Sequence, residues 1–510
     1  MPPASRRPVA PSDALWLNMD RPNNLMVIVS LVFLESVPDW ERVAEILRER
    51  VVARYPVFRQ RPVEPLLPFL PPLWEDDDFS LERHLHRATL PAPGGDAALQ
   101  AYVEGQLHRP LDRSHALWEV HLVDGYGSGA VVVCRAHHAL ADGIALTRVL
   151  LSMTDAGPEA AGGDEAGVAA AVPAAVPAPS VGGAGEAASV GGTDAAAGVT
   201  GQRAPAARGS SRPRGLVETA LEAVRLARPS GWADALALGS RTAAVVADLL
   251  LTHTPTSALS GTPAPQKRVV WTQPVPLAEL KAVGRLAGAT LNDVLMSAVA
   301  GALEHYQRQH GREPVDLVTM VPVNVRPLDE PLPPELGNRF ALVFFGFPSA
   351  TSAPLARLAE TKRRMDWLKQ SPEAALTLGI INVLGLTTTG LERRLVDYFA
   401  NKAIGVTTNV AGPAQQRYLA GVAMTGALGW VPGSGNHTVG VCIFTYAGTV
   451  RVGFMLDAAA VPDPQSLLAA FELEAATLTS IGTIGALNGA AGCRGPRGGG
   501  LVGEPGGLAP

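Results

Sequence analysis

The chain has 510 residues, 47% of them hydrophobic and 17% charged, with a formal net charge of -5 and a mean hydropathy of +0.15. That length exceeds one ordinary core and predicts about two to three domains; the near-balanced charge, without a long lysine or arginine run, sets nucleic acid aside as a partner. Cys134, Cys442 and Cys493 lie far apart without CxxC spacing, so neither a disulfide framework nor a zinc site is expected and a reducing cytoplasm is the default compartment.

In chain order, the N-terminus carries Arg6 and Arg7 but no following apolar stretch that reads as a signal peptide. Leu25 to Leu34 is too short to span a bilayer and reads as a buried strand. Asp39 then caps a helix whose apolar residues Trp40, Val43, Ile46, Leu47 and Val51 recur at helical spacing. A second helix is expected at Ala97 to Leu107. The β-rich runs Trp118 to Val123 and Ala130 to Arg135, joined through Asp124 to Gly129, predict a hairpin. From 157 to 213 the sequence is alanine, glycine, proline and serine, which cannot offset the entropy of ordering and reads as a disordered linker. Beyond it, Thr290 to Asp293 opens a helix to about Tyr306, and Leu317 to Val325 is a strand. The apolar segment Ala374 to Leu386 fits an amphipathic, core or membrane-surface helix better than a span. Val439 to Phe444 and Val450 to Leu456 form two strands turned by Tyr446-Ala447-Gly448, and Asp463-Pro464 starts a last helix. Residues 482–510 read as a frayed, glycine-rich tail. Strands and helices are mixed in both halves, so the expected class is α/β or α+β with two lobes, 1–156 and 214–481.

The chemistry-bearing run is His137-His138-Ala139-Leu140-Ala141-Asp142-Gly143, just past the hairpin. Adjacent histidines at a strand end point to opposite sides, which disfavours a shared metal and lets only one face a given cavity. That suits a single general base, because neutral imidazole accepts a hydroxyl proton near pH 7. Asp142 either caps the helix starting near Ile144 or serves the site, and Gly143 is expected to supply backbone angles that other residues resist. Asn292 and Asp293 fit the first turn of a helix as well as a site. Asn409 orients a substrate or shapes a turn, with the turn preferred. Gly125 to Ala130 matches a degenerate dinucleotide fingerprint but precedes a strand, not a helix, so it is rejected; neither a GxSxG elbow nor a P-loop occurs.

The run from His137 to Gly143 fits HHxxxDG, and the chain resembles chloramphenicol acetyltransferase-like enzymes. Within them it is most similar to the bacterial wax ester synthase/diacylglycerol acyltransferases. The similarity extends over Asp13-Ala14-Leu15-Trp16, Asn23 to Met26, Pro110-Leu111-Asp112, Leu117-Trp118-Glu119, Thr290 to Val294, Val321 to Pro327, Gly337-Asn338, Thr408 to Pro413 and Tyr446-Ala447-Gly448. Ala411 stands where that family commonly has proline, and Pro255 to Leu259 lacks a Phe-Asn pair.

The resemblance implies a two-lobed fold with a tunnel at the interface, and His138 as base. It further implies that Asp142 holds its loop by an ion pair with an arginine, for which Arg326 is the candidate. It implies acyl-CoA as substrate with no separate cofactor or metal, and diacylglycerol or a long-chain alcohol as acceptor. The expected location is cytoplasmic, peripheral at a membrane or lipid droplet, with Ala374 to Leu386 as candidate contact. The rival expectations are another hydroxyl acceptor, such as a polyketide or glycolipid, and a non-catalytic lipid-surface protein on the same scaffold. A covalent route through Cys134 is disfavoured by its distance along the strand from His138.

Overall fold

A computed structural model describes residues 6–64, 71–159, 254–326, 330–371, 373–384 and 389–492. In the first half the elements are β1 (Arg6–Pro8), α1 (Pro11–Met19), β2 (Val27–Leu34), α2 (Trp40–Leu47), β3 (Gln60–Val63), β4 (Leu73–Asp76), β5 (Leu85–Thr89), α3 (Asp96–Leu107), β6 (Trp118–Tyr126), β7 (Gly129–His137) and α4 (Gly143–Ser152). The second half begins with β8 (Lys267–Trp271), β9 (Val275–Pro276), α5 (Leu277–Ala287), α6 (Leu291–Gln309), β10 (Leu317–Asn324), β11 (Phe340–Phe347), α7 (Pro354–Lys369), α8 (Glu373–Leu384) and α9 (Thr389–Ala400). It ends with β12 (Gly405–Ala411), β13 (Tyr418–Leu419), β14 (Val422–Trp430), β15 (Val439–Tyr446), β16 (Thr449–Asp457) and α10 (Pro464–Gly492).

Local signals account for most of these boundaries. Asp39 caps α2 by accepting from the amides of Glu41 and Arg42, and Thr290 and Asp293 form a reciprocal capping box at α6. The β6–β7 hairpin is tighter than the sequence suggests. Its strands run to Tyr126 and from Gly129, with a bulge between Asp124 and Tyr126 where Gly125 takes a φ of 82°. At the β15–β16 turn Ala447 (φ 44°) and Gly448 (φ 82°) are both left-handed, the geometry that matches strand twist in a two-residue hairpin.

Two sheets carry the two lobes. The first runs β13-β14-β2-β7-β6-β5 and the second β11-β10-β12-β15-β16-β8, with β9 also on β16 and a small β1-β4-β3 sheet beside them. Each lobe has its own apolar core, one around Leu31, Val131 and Val133, the other around Val294, Phe345 and Phe454. The division of the sheets differs from the division into 1–156 and 214–481, because β14 leaves the second lobe and pairs antiparallel with β2. No local pattern announces that exchange, since both sheets offer the same apolar surface to a strand.

The expected linker lies outside the described residues apart from 157–159. The expected tail begins inside α10, which continues past Gly482 to Gly492. Glycines each cost about 1 kcal/mol in a helix, but a helix already nucleated by packed turns propagates through them. The segment Ala374 to Leu386 forms α8 through Leu384, where Ala374, Thr377 and Ile381 are buried and Ile380, half-buried, packs on the first core. Among the described residues no single helix is long and apolar enough to cross a membrane.

Candidate active site

Strand β7 delivers the histidine pair to the seam between the lobes. His137 is its last residue, still paired with Val27, and the chain turns as the Leu140 amide donates to the His137 carbonyl. The two rings diverge as strand geometry requires. His137 is buried, its Nε2 3.2 Å from Asp20 Oδ2, while its Nδ1 accepts from the Ala139 amide at 3.1 Å. Burial alone would raise Asp20, but the His137 ring, the Met26 amide and Arg113 bring it down to about 2. This histidine is a structural tie.

His138 faces the other way, into a cavity of about 1100 Å³. Its amide donates to the Met26 carbonyl at 2.7 Å, and its ring lies 4.1 Å from that of Trp16, nearly parallel at 19°, with Phe340 at 5.5 Å. Nδ1 is 3.0 Å from Asn338 Oδ1, which leaves Nε2 toward the cavity. Burial, reinforced by the neighbouring His137, lowers the His138 pKa to about 4. The ring is therefore neutral at pH 7 with a lone pair available.

The cavity walls come from both lobes. Ile28, Ile144 and Leu428 face Met320, Leu342, Val406 and Phe444, with Ser30, Thr408 and Asn409 as scattered polar points. Two smaller cavities of about 430 and 300 Å³ share Asn24, Lys267, Gly433 and Met455 with each other, and Pro432, Val431 or Val406 with the main one. An apolar cavity with few convergent polar groups is the form of a small-molecule site.

Asp142 joins the lobes behind the histidine, and it does so mainly through backbone amides. Its side chain caps α4 by accepting from the Ala145 amide at 2.8 Å and accepts from the Arg339 amide at 3.0 Å. Arg326 is near, but at 3.9 Å its Nη2 is beyond hydrogen-bond reach of Asp142 and donates instead to the carbonyls of Leu336 and Gly337. The expected ion pair is thus a longer charge contact inside a backbone clasp. Burial raises the Asp142 pKa and lowers that of Arg326, and their mutual attraction opposes both. A bridge between Ala141 and Gly337 closes the clasp. Gly143 is not left-handed; it is the first residue of α4, and a Cβ there would meet only Val431 Cγ1 at an ordinary 3.6 Å.

Asn409 sits within β12, opposite Ile443, and not in a turn; the Gly412-Pro413 turn signal comes three residues later. Its amide donates to Asn292 Oδ1, and Asn409 itself lines the cavity. Asp293 accepts from the Thr290 amide at 2.8 Å and does not reach the cavity, so of its two readings the capping one is realised. Burial pushes the Cys134 thiol up to about 12, which withholds the thiolate that a covalent route needs. Trp16, Asn338 and Asp13, which accepts two hydrogen bonds from Asn338, complete the surroundings of His138. The sequence contained them only as parts of resembling segments, with no role attached.

One other group, His86, Glu119 and His121, has the spacing to hold a metal, with ligand atoms within 4.8 Å of one another. The buried Arg135 guanidinium is hydrogen-bonded to Glu119, so a cation would have to displace it. The group reads as a half-buried polar network.

Two sheet-built lobes with a histidine of this motif at their seam are the architecture of chloramphenicol acetyltransferase-like acyltransferases, and the chain falls in that class. Residues 9–295 match the wax ester synthase/diacylglycerol acyltransferase catalytic domain, and residues 336–478 match the C-terminal domain of the same proteins. The chain belongs to the wax ester synthase/diacylglycerol acyltransferase family. A Mycobacterium tuberculosis protein assigned as a diacylglycerol O-acyltransferase is 28% identical over 480 residues, covering 90% of this chain and 94% of the relative. A second from that organism, tgs1, is 26% identical over 424 residues, covering 80% and 82%. In fold the chain is similar to the wax ester synthase/diacylglycerol acyltransferase of Marinobacter aquaeolei VT8, with a TM-score of 0.63 and 20% identity over 94% of this chain and 100% of that one. The first condensation domain of the calcium-dependent antibiotic synthetase gives a TM-score of 0.53 at 13% identity over 94% and 96%.

Proposed function

We propose that the chain transfers a long-chain acyl group from acyl-CoA to the hydroxyl of diacylglycerol, forming triacylglycerol, and accepts long-chain alcohols to form wax esters. The observation that carries this reading is the neutral His138 ring facing an apolar cavity of about 1100 Å³ between the lobes. Nε2 takes the proton of the acceptor hydroxyl as its oxygen attacks the thioester carbonyl. The tetrahedral intermediate then expels the coenzyme A thiolate, which recovers the proton from the imidazolium. A positioned base of this kind contributes about 100- to 10,000-fold. The thiolate leaves readily, so the reaction needs no metal or prosthetic group; acyl-CoA is a substrate.

A lipid acceptor has to be drawn from a membrane or lipid-droplet surface, and we assign the chain a peripheral place there, on the cytoplasmic side. Ile381 is buried and Ile380 is half-buried against the first core, which argues against α8 as the contact. The exposed face of α9 suits it better, with Leu391 and Tyr398 flanked by Arg393 and Arg394, an apolar stripe with basic neighbours that complements anionic lipid.

Purified protein incubated with a labelled long-chain acyl-CoA and a panel of acceptors tests the activity. Triacylglycerol and wax ester should form, short soluble alcohols should be ignored, and His138→Ala should leave less than about a tenth of the rate. Ester formation only on short alcohols would overturn the lipid assignment; full activity of His138→Ala would overturn the base.

A further inference from the structure

We propose that Asp13, on the N-terminal helix α1, is a positioning residue for the reaction: through Asn338 it selects the tautomer of His138 that leaves Nε2 free to act as base. The inference rests on His138 being that base. It follows from counting donors and acceptors around one amide group.

The Asn338 side chain has three polar neighbours. Its Nδ2 donates to Asp13 Oδ1 at 2.8 Å and to the His138 carbonyl at 2.8 Å, and Oδ1 lies 3.0 Å from His138 Nδ1. At pH 7 both neighbours on the nitrogen side act as acceptors, since burial raises Asp13 only to about 6 and leaves it mostly ionised. Turning the amide over would set its oxygen against a carboxylate and a carbonyl, leaving three acceptors together in a buried space with no hydrogen among them. The amide is therefore locked with Oδ1 toward the ring. An oxygen that only accepts requires the ring to donate, so Nδ1 carries the hydrogen, and the backbone carbonyl of His138 itself is a further acceptor for the ring. In a neutral imidazole the lone pair then resides on Nε2.

Asp13 is the strongest acceptor in this lock. Its Oδ1 also takes the Asn338 backbone amide at 2.9 Å, so one carboxylate oxygen fixes both the chain and the side chain of Asn338. The seat is built for it. Gly337, at a φ of 74°, would place a Cβ 3.2 Å from Asp13 Oδ2, so a side chain there would crowd the carboxylate. One helical turn after Asp13, Trp16 stacks on the same imidazole. The i, i+3 spacing puts both on one face of α1, which holds the ring by its plane and, through Asn338, by its proton.

Direct observation of the tautomer in the full chain is the test, using ¹⁵N chemical shifts of His138 assigned by comparison with His138→Ala. Wild type should show Nδ1 protonated and Nε2 bare at pH 7. Asp13→Ala should shift His138 toward the Nε2-protonated form and lower kcat at least about tenfold with KM little changed, within the span expected for losing a general base. Asp13→Asn, whose carbonyl can still accept both hydrogen bonds, should keep the tautomer and stay within about threefold of wild type on the same scale. An Nε2-protonated ring in wild type overturns the proposal whatever the variants do. So does an Asp13→Ala protein whose tautomer is unchanged. If His138→Ala abolishes turnover while either of these results appears, the base stands and only the role of Asp13 falls.

Discussion

Replacing Asp142 by Asn separates the clasp from the charge. The amide oxygen can keep the cap on the Ala145 amide, 2.8 Å away in the native chain, so helix α4 is spared. The new NH₂ must then face the Arg339 amide, where the native carboxylate accepts at 3.0 Å, and the Arg326 guanidinium 3.9 Å off. Losing a hydrogen bond to a charged acceptor costs about 1.5–3 kcal/mol. An arginine stripped of its buried partner costs about 3–5 kcal/mol. Because Arg326 also donates to the carbonyls of Leu336 and Gly337, the lower ends apply and do not simply add. We expect about 3 kcal/mol, which corresponds to a fall in Tm of about 6–12 °C at the roughly 2–4 °C per kcal/mol of large domains. Turnover should fall with it, since the clasp holds the loop of His138, while the pH profile of the residual activity keeps its shape. Scanning calorimetry beside a coupled release assay for coenzyme A reads both. A Tm within about 1 °C of wild type would refute the clasp as a source of stability.

The acid limb of kcat/KM should lie near pH 4 to 5 rather than near the ordinary imidazole value of about 6.5, because burial holds His138 down to about 4. Lowering the pH adds the proton that disables the base, so activity is lost downward and not upward; a limb centred near 6.5 would contradict the burial. The same shift makes the unfolded chain bind more protons between about 6.5 and 4, so this group's share of stability is present above that window and lost as pH falls through it. His137→Ala should cost about 2–4 kcal/mol by removing the Asp20 and Ala139 bonds, with partial activity retained. A normal melting curve with abolished turnover would show that the two histidines exchange roles.

Local rules made part of the site legible. The period of a strand sends His137 and His138 to opposite sides, and it does so in this sheet. The capping signals of Asp39, Thr290 and Asp293 act within three or four residues, so they too could be read directly. What escaped were contacts made at long range. Asn338 meets His138 across two lobes, and its partner Asp13 sits a further 325 positions away. Asp142 is held chiefly by the backbone amides of Ala145 and Arg339, and a backbone amide carries no sequence signature. Apolar content alone could not place Ile381 in a core rather than on a lipid surface, because both environments select the same side chains. Asparagine favours turns by its own chemistry, yet Asn409 lies in a strand because β-sheet pairing persists to Ala411.

The pairing of β14 with β2 has a consequence for synthesis. Val29 and Trp430 are neighbours in the sheet but about 400 residues apart in the chain. At about 5–20 residues per second a ribosome needs roughly 20–80 s to make that stretch. Throughout that time Val27 to Leu34, an apolar strand, has its β14 edge open and is able to pair with whatever strand it meets. The nascent chain therefore depends on something other than its own native partner to guard β2.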